Sequence, residues 1–341
     1  MKKIAIMTWY THNNYGSKLQ ATAMSRYIKK MGYDSYFINY KPRGVLYENN
    51  FKSTLKKVVT KLKSKTINKP FNNNDIFEDY KRKYIKETEK CDSYVDLYQL
   101  NSDFDAFICG SDQIWSPNNF DSKYFLDFAD DNKIIAYAPS IGLNNIYSPI
   151  IKEKMCTLIK RFKYLSVREE TGAEIIKNNV GIDAQVVLDP TLLLKSNEWE
   201  QIENIELAKQ LKNQQYVVTY FLGDSSKYIK VIEKYAKNKN LKIYNIPVFK
   251  SKKINKYNFY TSVGPSEFLS LIHNANCVFT DSFHGTILSI NYNKDFYTFK
   301  RFKSTSKNNQ NSRVEDILKR LSLDDRLVIN KKLKFSAFVT P

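Results

Sequence analysis

The sequence has few of the residues that build metal sites and disulfide frameworks. Its 341 residues include four cysteines and three histidines. The cysteines are far apart, form no Cys-x-x-Cys pair and have no histidine at metal-ligand spacing; they are Cys91, Cys109, Cys156 and Cys277. We therefore expect neither a zinc site nor a disulfide framework, and we interpret the two cysteines that lie in apolar strand patterns, Cys109 and Cys277, as buried thiols.

Long apolar runs are also lacking. No stretch reaches the length of about 18 apolar residues that a membrane span needs. The first apolar run, residues 4–7, follows two lysines but ends at Thr8 with no small-residue cleavage site. We interpret it as a first strand rather than a signal peptide, and we expect a cytoplasmic protein.

Acidic residues are too few to balance the basic ones. Lys and Arg number 54 against 35 Asp and Glu, which gives a net charge of +19. Such a surplus favours anionic partners, but no nucleic-acid-binding motif occurs at its usual spacing, so we expect no nucleic-acid partner. The basic run at residues 52–69 has apolar residues at helical spacing. It either docks on anionic lipid at the inner face of the membrane or packs as an exposed amphipathic helix.

Strand-length apolar runs alternate with helix-period segments along most of the chain. This alternation predicts βαβ units and parallel sheets, and the length exceeds that of one usual core. We therefore predict an α/β protein with two similar halves that face each other across a cleft. The expected boundaries are residues 1–195, residues 196–325 and a C-terminal tail at 326–341. The stretch at 48–100 is rich in Lys, Asn and Tyr and predicts helices.

Polar residues follow many of the predicted strands. The carboxyl ends of parallel strands open at one edge of a sheet, so we expect these loops to converge where ligands bind. Taken singly, each loop is better explained as a capped strand-to-helix connection. The loop candidates are Asn13, Asn14, Gly16, Ser111, Asp112, Gln113, Ser140, Arg168, Glu169, Gly223, Asp224, Ser225, Asp281, Ser282 and His284.

Two of these loops carry the most chemistry. The predicted strand 277–280 runs into a polar turn and a helix, whose first turn offers N–H groups and a positive dipole to an anion. His284 in that turn is either held neutral until an anion allows it to take up a proton, or is a structural residue bonded to nearby backbone. Arg168 directly follows the predicted strand 164–167, where it either binds a carboxylate or phosphate or forms a salt bridge with Glu169, Glu170 or Asp189.

Six sequence blocks occur in chain order: NNYG with LQA (13–16, 19–21), GSDQIW (110–115), YAPSIG (137–142), SVREETG (166–172), LDPT (188–191) and TDSFHGT (280–286). Together they resemble the polysaccharide pyruvyl transferase family. The resemblance implies two Rossmann-like domains similar to the glycosyltransferase B type, with the acceptor on residues 1–195 and the donor on residues 196–325. It also implies transfer of pyruvate from phosphoenolpyruvate to a sugar as a cyclic ketal, in exopolysaccharide or cell-wall biosynthesis. No metal is expected, and no cofactor besides phosphoenolpyruvate as co-substrate.

The resemblance also implies roles for single residues. Arg168 matches a donor-binding arginine, and His284 matches a histidine of the C-terminal block. Family members tend to carry an arginine two places before that histidine, where this chain has Ser282. Either another cation such as Arg313 replaces it, or this branch performs different chemistry.

Phosphoenolpyruvate needs cations for its phosphate and carboxylate and a proton at C3 that makes C2 electrophilic. We therefore hypothesise that His284 supplies or relays that proton and that Asp112 is a base. The expected donor-binding residues are Arg168, Gly223, Asp224, Ser225, Ser282, Gly285, Thr286 and Arg313, with backbone N–H groups of 223–226 around phosphate. The expected residues for a sugar or lipid-linked oligosaccharide acceptor are Asn13, Asn14, Gly16, Gln113, Trp115 and Ser140. A glycosyltransferase of the same fold that uses a nucleotide sugar, and a non-catalytic glycan- or anion-binding protein, stay open as alternatives.

Overall fold

A computed structural model describes residues 1–41, 74–226, 228–246, 248, 258–259 and 262–328. The basic run at 52–69 lies outside these residues, and so does the predicted tail from residue 329 onward. No helix in the described ranges combines the length and the apolar character that a membrane crossing requires.

The first half of the chain forms one parallel sheet of seven strands. They are β1 (Lys3–Met7), β2 (Asp34–Tyr40), β3 (Glu87–Cys91), β4 (Ala106–Cys109), β5 (Ile134–Ala136), β6 (Tyr164–Val167) and β7 (Gln185–Val186). Their order in the sheet is β3-β2-β1-β4-β5-β6-β7. Strands β2 and β3 lie on one side of β1, and strands β4 to β7 lie on its other side. The carboxyl ends of β1 and β4 therefore flank a topological switch point.

Strand β3 was not expected from the sequence, which predicts only helices in this region. It lies at the edge of the sheet, and Cys91 is its only buried residue. An edge strand with one neighbour does not need the apolar alternation that marks a half-buried strand. The helices of this half and of the linker that follows are α1 (Tyr15–Lys30), α2 (Asn74–Tyr84), α3 (Tyr94–Asp103), α4 (Pro149–Ile159), α5 (Glu170–Val180), α6 (Ser196–Glu200) and α7 (Ile205–Leu211).

The second half repeats the plan with six parallel strands. They are β8 (Tyr216–Tyr220), β9 (Lys242–Asn245), β10 (Asn258–Phe259), β11 (Cys277–Thr280), β12 (Asp295–Phe299) and β13 (Leu327–Val328), in the order β10-β9-β8-β11-β12-β13. The helices are α8 (Ile229–Asn238), α9 (Pro265–His273), α10 (Phe283–Asn291) and α11 (Ser312–Arg320). The second switch point lies between β8 and β11. Strand β13 belongs to this sheet although it begins at Leu327, beyond residue 325, where the second domain was expected to end.

The two halves share a continuous apolar core. Tyr15, at the start of α1, stacks on Phe268 of α9 with 4.6 Å between ring centroids, and its hydroxyl donates to the carbonyl of Val263 at 3.2 Å. Both rings belong to one buried cluster that draws residues from both halves. Because each buried aromatic ring removes a large apolar area from water, this contact holds the two switch points against each other. The predicted fold class, two Rossmann-like halves facing each other, is confirmed.

Candidate functional site

The two switch points meet where helices α1 and α10 begin. The imidazole of His284 lies against Gly16, so closely that a Cβ at position 16 would be 2.0 Å from Nδ1. Only glycine permits this approach. A histidine of the second half therefore reaches the first turn of helix α1 in the first half.

Asp189 lies between Arg168 and His284, the two residues that the sequence analysis placed beside the same substrate. Its carboxylate is fully buried; Oδ2 accepts a hydrogen bond from Nη1 of Arg168 at 2.8 Å and lies 3.7 Å from Nε2 of His284. The hydroxyl of Ser111 also donates to Oδ2, at 3.1 Å. Arg168 and His284 thus face the same carboxylate, although 116 positions separate them in the chain.

Burial sets the charge states in this cluster. It lowers the pKa of His284 below the usual value, against the raising effect of Asp189 and Asp112. Burial alone would raise the pKa of Asp189, but the charges of His284 and Arg168 and the hydrogen bonds from Thr191 and Arg168 bring that pKa below its usual value. The cluster therefore favours a neutral imidazole beside an ionised Asp189, and Asp189 is a poor proton acceptor.

Arg168 forms the salt bridge that the sequence offered as an alternative, and still has donors to spare. Its guanidinium is buried over the ring of Phe283, 4.2 Å from the centroid. Nε lies 3.6 Å from the nearest carboxylate oxygen of Glu169, but neither Nε nor Nη2 makes a hydrogen bond. Since a guanidinium carries five N–H donors, the salt bridge with Asp189 leaves capacity for an anion.

Arg313 lies beside the same ring. It is buried at the start of α11, its guanidinium carbon is 6.0 Å from the centroid of Phe283, and its Nη2 donates to Oε1 of Gln310 at 3.0 Å. Burial, with the charges of Arg168 and Arg301, lowers the pKa of Arg313 to about 9. The second cation suggested in place of the family's usual arginine is therefore next to Arg168.

Asp112 lies at the first switch point. It adopts a left-handed backbone conformation with φ of 68°, and its carboxylate accepts a hydrogen bond from the hydroxyl of Ser17 at 2.5 Å and from the backbone of Gln113 at 2.9 Å. Its charge acts on His284. Asp112 thus combines a carboxylate and proximity to the imidazole, as its expected role as a base requires.

The residues expected to bind the sugar acceptor differ in how deeply they are buried. Asn14 caps helix α1 by accepting from the backbone of Ser17, and Asn13 is exposed and donates to Asn74 at 2.5 Å. The side chain of Gln113 packs on Gly142, where a Cβ would lie 2.2 Å from its Nε2. Asn13 is therefore exposed and Gln113 half-buried, and their expected contacts with an acceptor stay a prediction.

Trp115 and Ser140 are buried in the interior of the first half. Trp115 is fully buried, stacks on Phe125 at 4.8 Å and donates its indole N–H to the carbonyl of Tyr124. Ser140 is also fully buried and donates its hydroxyl to Glu169 at 2.6 Å. Acceptor contacts expected for these two residues do not fit their placement, since their polar groups already have internal partners.

Two N–H groups of the expected phosphate cradle at 223–226 have internal acceptors. The backbone N–H groups of Gly223 and of the preceding Leu222 donate to the two carboxylate oxygens of Asp281, at 2.9 and 2.7 Å. The N–H of Ser226 donates to the carboxylate of Asp224. A phosphate bound by Gly223 or Ser226 would have to compete with these carboxylates, and the cradle that includes Ser225 stays a prediction.

Three residues of the turn around His284 are structural. Ser282 caps α10 by accepting from the backbone of Gly285 at 3.3 Å. A Cβ on Gly285 would lie 2.6 Å from the hydroxyl of Thr280, and the hydroxyl of Thr286 donates to the carbonyl of Ser282. These residues hold the imidazole in place, and the donor contacts expected for them do not fit the geometry.

Two site features were missed by the sequence reasoning. Asp189 was considered only as a salt-bridge option, although an aspartate directly after a predicted strand belongs to the same sheet edge as Arg168. The second is a cap between the halves: Asp316 of α11 accepts from the backbone and hydroxyl of Thr171 at 3.0 and 2.9 Å. The N-cap residue Glu169 makes no side-chain cap bond, so Asp316 caps α5 from the other half.

No group of three or more metal-ligating side chains is present in the described ranges. The expectation that neither metal nor cofactor is needed stays a prediction.

Comparison with known proteins agrees with this architecture. The family model described as polysaccharide pyruvyl transferase matches residues 14–301, most of the chain. No curated protein matches the sequence. Among solved structures, S. aureus MnaA with UDP is similar at a TM-score of 0.55 and 8% identity, covering 98% of this chain and 86% of that one. The UDP-GlcNAc 2-epimerase from Methanocaldococcus jannaschii is similar at 0.52 and 14%, covering 93% and 92%.

The UDP-GlcNAc 2-epimerase from Neisseria meningitidis, bound to UDP-GlcNAc, has a TM-score of 0.51 at 13% identity, with 98% and 88% covered. At such identities the likeness shows the fold alone. The predicted similarity to the glycosyltransferase B type is confirmed.

Proposed function

Because this chain belongs to the polysaccharide pyruvyl transferase family, we propose that it transfers a pyruvyl group from phosphoenolpyruvate to a sugar of a cell-surface polysaccharide or its precursor, forming a pyruvate ketal. The observation that carries this proposal is the buried meeting of His284, Arg168 and Arg313 around Asp189 and Phe283. Two buried guanidinium groups and a neutral imidazole suit a small molecule with two acidic groups.

Donor binding follows from unmet hydrogen bonds. Nε and Nη2 of Arg168 are buried and donate no hydrogen bond to any residue that the structure describes, which is costly unless an anion is bound. A carboxylate can accept two parallel hydrogen bonds from one guanidinium. We assign the carboxylate of phosphoenolpyruvate to Arg168.

The proton comes from His284 in this proposal. A doubly acidic donor beside the imidazole raises its pKa, so that binding and protonation occur together. The imidazolium then gives its proton to C3, and C2 becomes electrophilic. The first sugar hydroxyl adds to C2 as Asp112 takes its proton, and the second hydroxyl adds to C2 as phosphate leaves with that hydroxyl's proton. The ketal gains one proton at C3, and inorganic phosphate is released.

Phosphate release tests the proposal. The full chain is incubated with phosphoenolpyruvate and a panel of sugars carrying free hydroxyl pairs, and inorganic phosphate and the methyl signal of the ketal are followed by nuclear magnetic resonance. We expect His284→Ala to lower the rate by about 100-fold or more, with its circular dichroism spectrum unchanged. Lys319→Gln, which removes an exposed charge from α11, is the control. Unchanged turnover in His284→Ala would exclude the proton role.

Calorimetric titration separates the other function classes. A glycosyltransferase would bind a nucleotide sugar such as UDP-GlcNAc and leave phosphoenolpyruvate unbound. A non-catalytic protein would bind an anion or glycan and release no phosphate with any acceptor. Whether the protein contacts an anionic membrane surface is tested by sedimentation with anionic and neutral vesicles.

A further inference from the structure

Two arginines of the second half converge on a neutral oxygen. Oε1 of Gln310 accepts from Nη2 of Arg313 at 3.0 Å and from Nη2 of Arg301 at 3.4 Å. Within the described part of the chain, no carboxylate forms an ion pair with either guanidinium. Arg313 is 7% exposed, so its charge is buried with an amide as its main partner.

This arrangement disfavours the charged forms. Burial lowers the pKa of Arg301 despite the nearby charge of Asp281, and it lowers that of Arg313 with the added repulsion of Arg168 and Arg301. An amide oxygen satisfies one donor but offsets no charge. Nε of Arg301 makes no hydrogen bond to a residue in the described ranges. An anion in the recess between these two arginines would therefore stabilise their charged forms more than the amide oxygen of Gln310 does.

The nearby carboxylates are committed elsewhere. Both oxygens of Asp281 accept from the backbone of Leu222 and Gly223, which directs its charge into the β8 loop. Oε1 of Glu169 accepts from the hydroxyl of Ser140 and the backbone of Gly142. Neither carboxylate can turn toward the two arginines without giving up these bonds.

We propose that this recess is a phosphate subsite in which the amide oxygen of Gln310 holds the place of a phosphate oxygen until a ligand displaces it. Its lining residues are Asp281, Phe283, Arg301, Phe302, Gln310 and Arg313. A phosphate has enough acceptor oxygens to bond both guanidinium groups at once.

The subsite rests on the proposed function where it is assigned to the donor. Phosphoenolpyruvate then lies with its phosphate at Arg301 and Arg313 and its carboxylate at Arg168, along the ring of Phe283. The same two cations stabilise the phosphate as it leaves. This orientation places the recess on the leaving-group side of the reaction and makes Arg301 and Arg313 determinants of donor specificity.

Gln310→Glu tests the subsite because it supplies a permanent internal anion of the same shape. Inorganic phosphate is titrated into the full chain by calorimetry, and thermal unfolding is measured without ligand. We expect Gln310→Glu to unfold at a higher temperature than the unsubstituted protein and to bind phosphate at least about tenfold more weakly. Unchanged phosphate affinity in this variant, or no phosphate binding by the unsubstituted chain, would overturn the subsite.

Arg313→Gln is the second variant. Phosphate affinity should fall at least about tenfold, because one charge-assisted partner is lost. Lys319→Gln removes one positive charge from the exposed side of the same helix and should bind phosphate as before. Equal losses in Arg313→Gln and Lys319→Gln would attribute binding to net charge and contradict the subsite.

The outcomes for the subsite and for pyruvyl transfer can be told apart. If phosphate binding depends on Gln310 and Arg313 as expected but phosphoenolpyruvate releases no phosphate with any acceptor, the subsite stands and the proposed function fails. If ketal forms and the KM for phosphoenolpyruvate is the same in Gln310→Glu, pyruvyl transfer stands and the subsite fails.

Discussion

The two halves bridge their switch points with the same type of residue but use it differently. Asp112 follows β4 and accepts from Ser17 in the first turn of helix α1, whereas Asp281 follows β11 and accepts from the loop after β8. Both oxygens of Asp281 are taken by loop N–H groups, whereas the charge of Asp112 acts on His284. Both aspartates are thus structural bridges, and the proposed role as a base concerns only Asp112, which lies beside the imidazole.

Asp112→Asn should produce the largest effect, on turnover. An amide can still accept from the hydroxyl of Ser17, so we expect folding to be kept, but it cannot take a proton from a sugar hydroxyl. The rate of phosphate release with an acceptor should fall by about 100- to 10,000-fold. Asp183→Asn, at a carboxylate that is 84% exposed, is the control. Full activity in Asp112→Asn would show that another group is the base. Asp112 would then have only a structural role, like Asp281.

Asp189→Ala should have the largest effect on stability. It leaves the buried guanidinium of Arg168 without its carboxylate, and breaking a buried pair in this way costs about 3–5 kcal/mol of unfolding free energy. Urea denaturation measures the loss. In the double variant Arg168→Met with Asp189→Leu, most of the stability should return, because both charges of the pair are removed together. A loss below about 1 kcal/mol in Asp189→Ala would mean that water reaches the pair.

The same carboxylate gives the stability a pH dependence. The pKa of Asp189 is held below its usual value of 3.8, so the folded state binds fewer protons than the unfolded chain. Its contribution is therefore present above about pH 4 and is lost as the pH falls through the folded pKa. Urea titrations between pH 6 and pH 3 should show a shallower decline in Asp189→Ala than in the unsubstituted protein.

Asp281→Ala should have an intermediate effect. It leaves the backbone N–H groups of Leu222 and Gly223 without their acceptor, which costs about 1–3 kcal/mol of unfolding free energy. Burial raises the pKa of Asp281, so its own contribution decreases as the pH rises from about 4, opposite in sign to that of Asp189. Denaturation curves at pH 4 and pH 7 test both points. An unchanged stability at both values would show that the β8 loop does not depend on this bridge.

The sequence predicts the scaffold of the site well. The apolar run at 277–280 and the polar turn after it predict strand β11 with its observed ends and a helix after the turn, because burial and capping both depend on near neighbours. Strand β6, which directly precedes Arg168, is likewise predicted with its observed ends. Placing both strand ends at one edge then follows from parallel topology alone.

Side-chain direction and competition for partners could not be predicted. Trp115 and Ser140 follow strands as ligand-binding residues do, but a turn of one or two residues decides whether a side chain faces the crevice or the core. The hydrogen bond from the Gly223 N–H to Asp281 joins residues 58 positions apart, so no local sequence signal shows that this N–H already has an acceptor. Gln310 lies in an irregular loop, where no periodicity reveals its two arginine partners.

The smallest effect is expected at the cap between the halves. Asp316→Ala removes the carboxylate that accepts from Thr171 at the start of α5, and loss of such a cap costs about 1 kcal/mol. This cap lies three residues after Arg168 on one side and three after Arg313 on the other, so we also expect a few-fold rise in the KM for phosphoenolpyruvate with kcat unchanged. A double-mutant cycle of Asp316→Ala with Thr171→Val should give a coupling energy of about 0.5–1 kcal/mol. Additive effects would mean that the cap has no part in bringing the two arginines together.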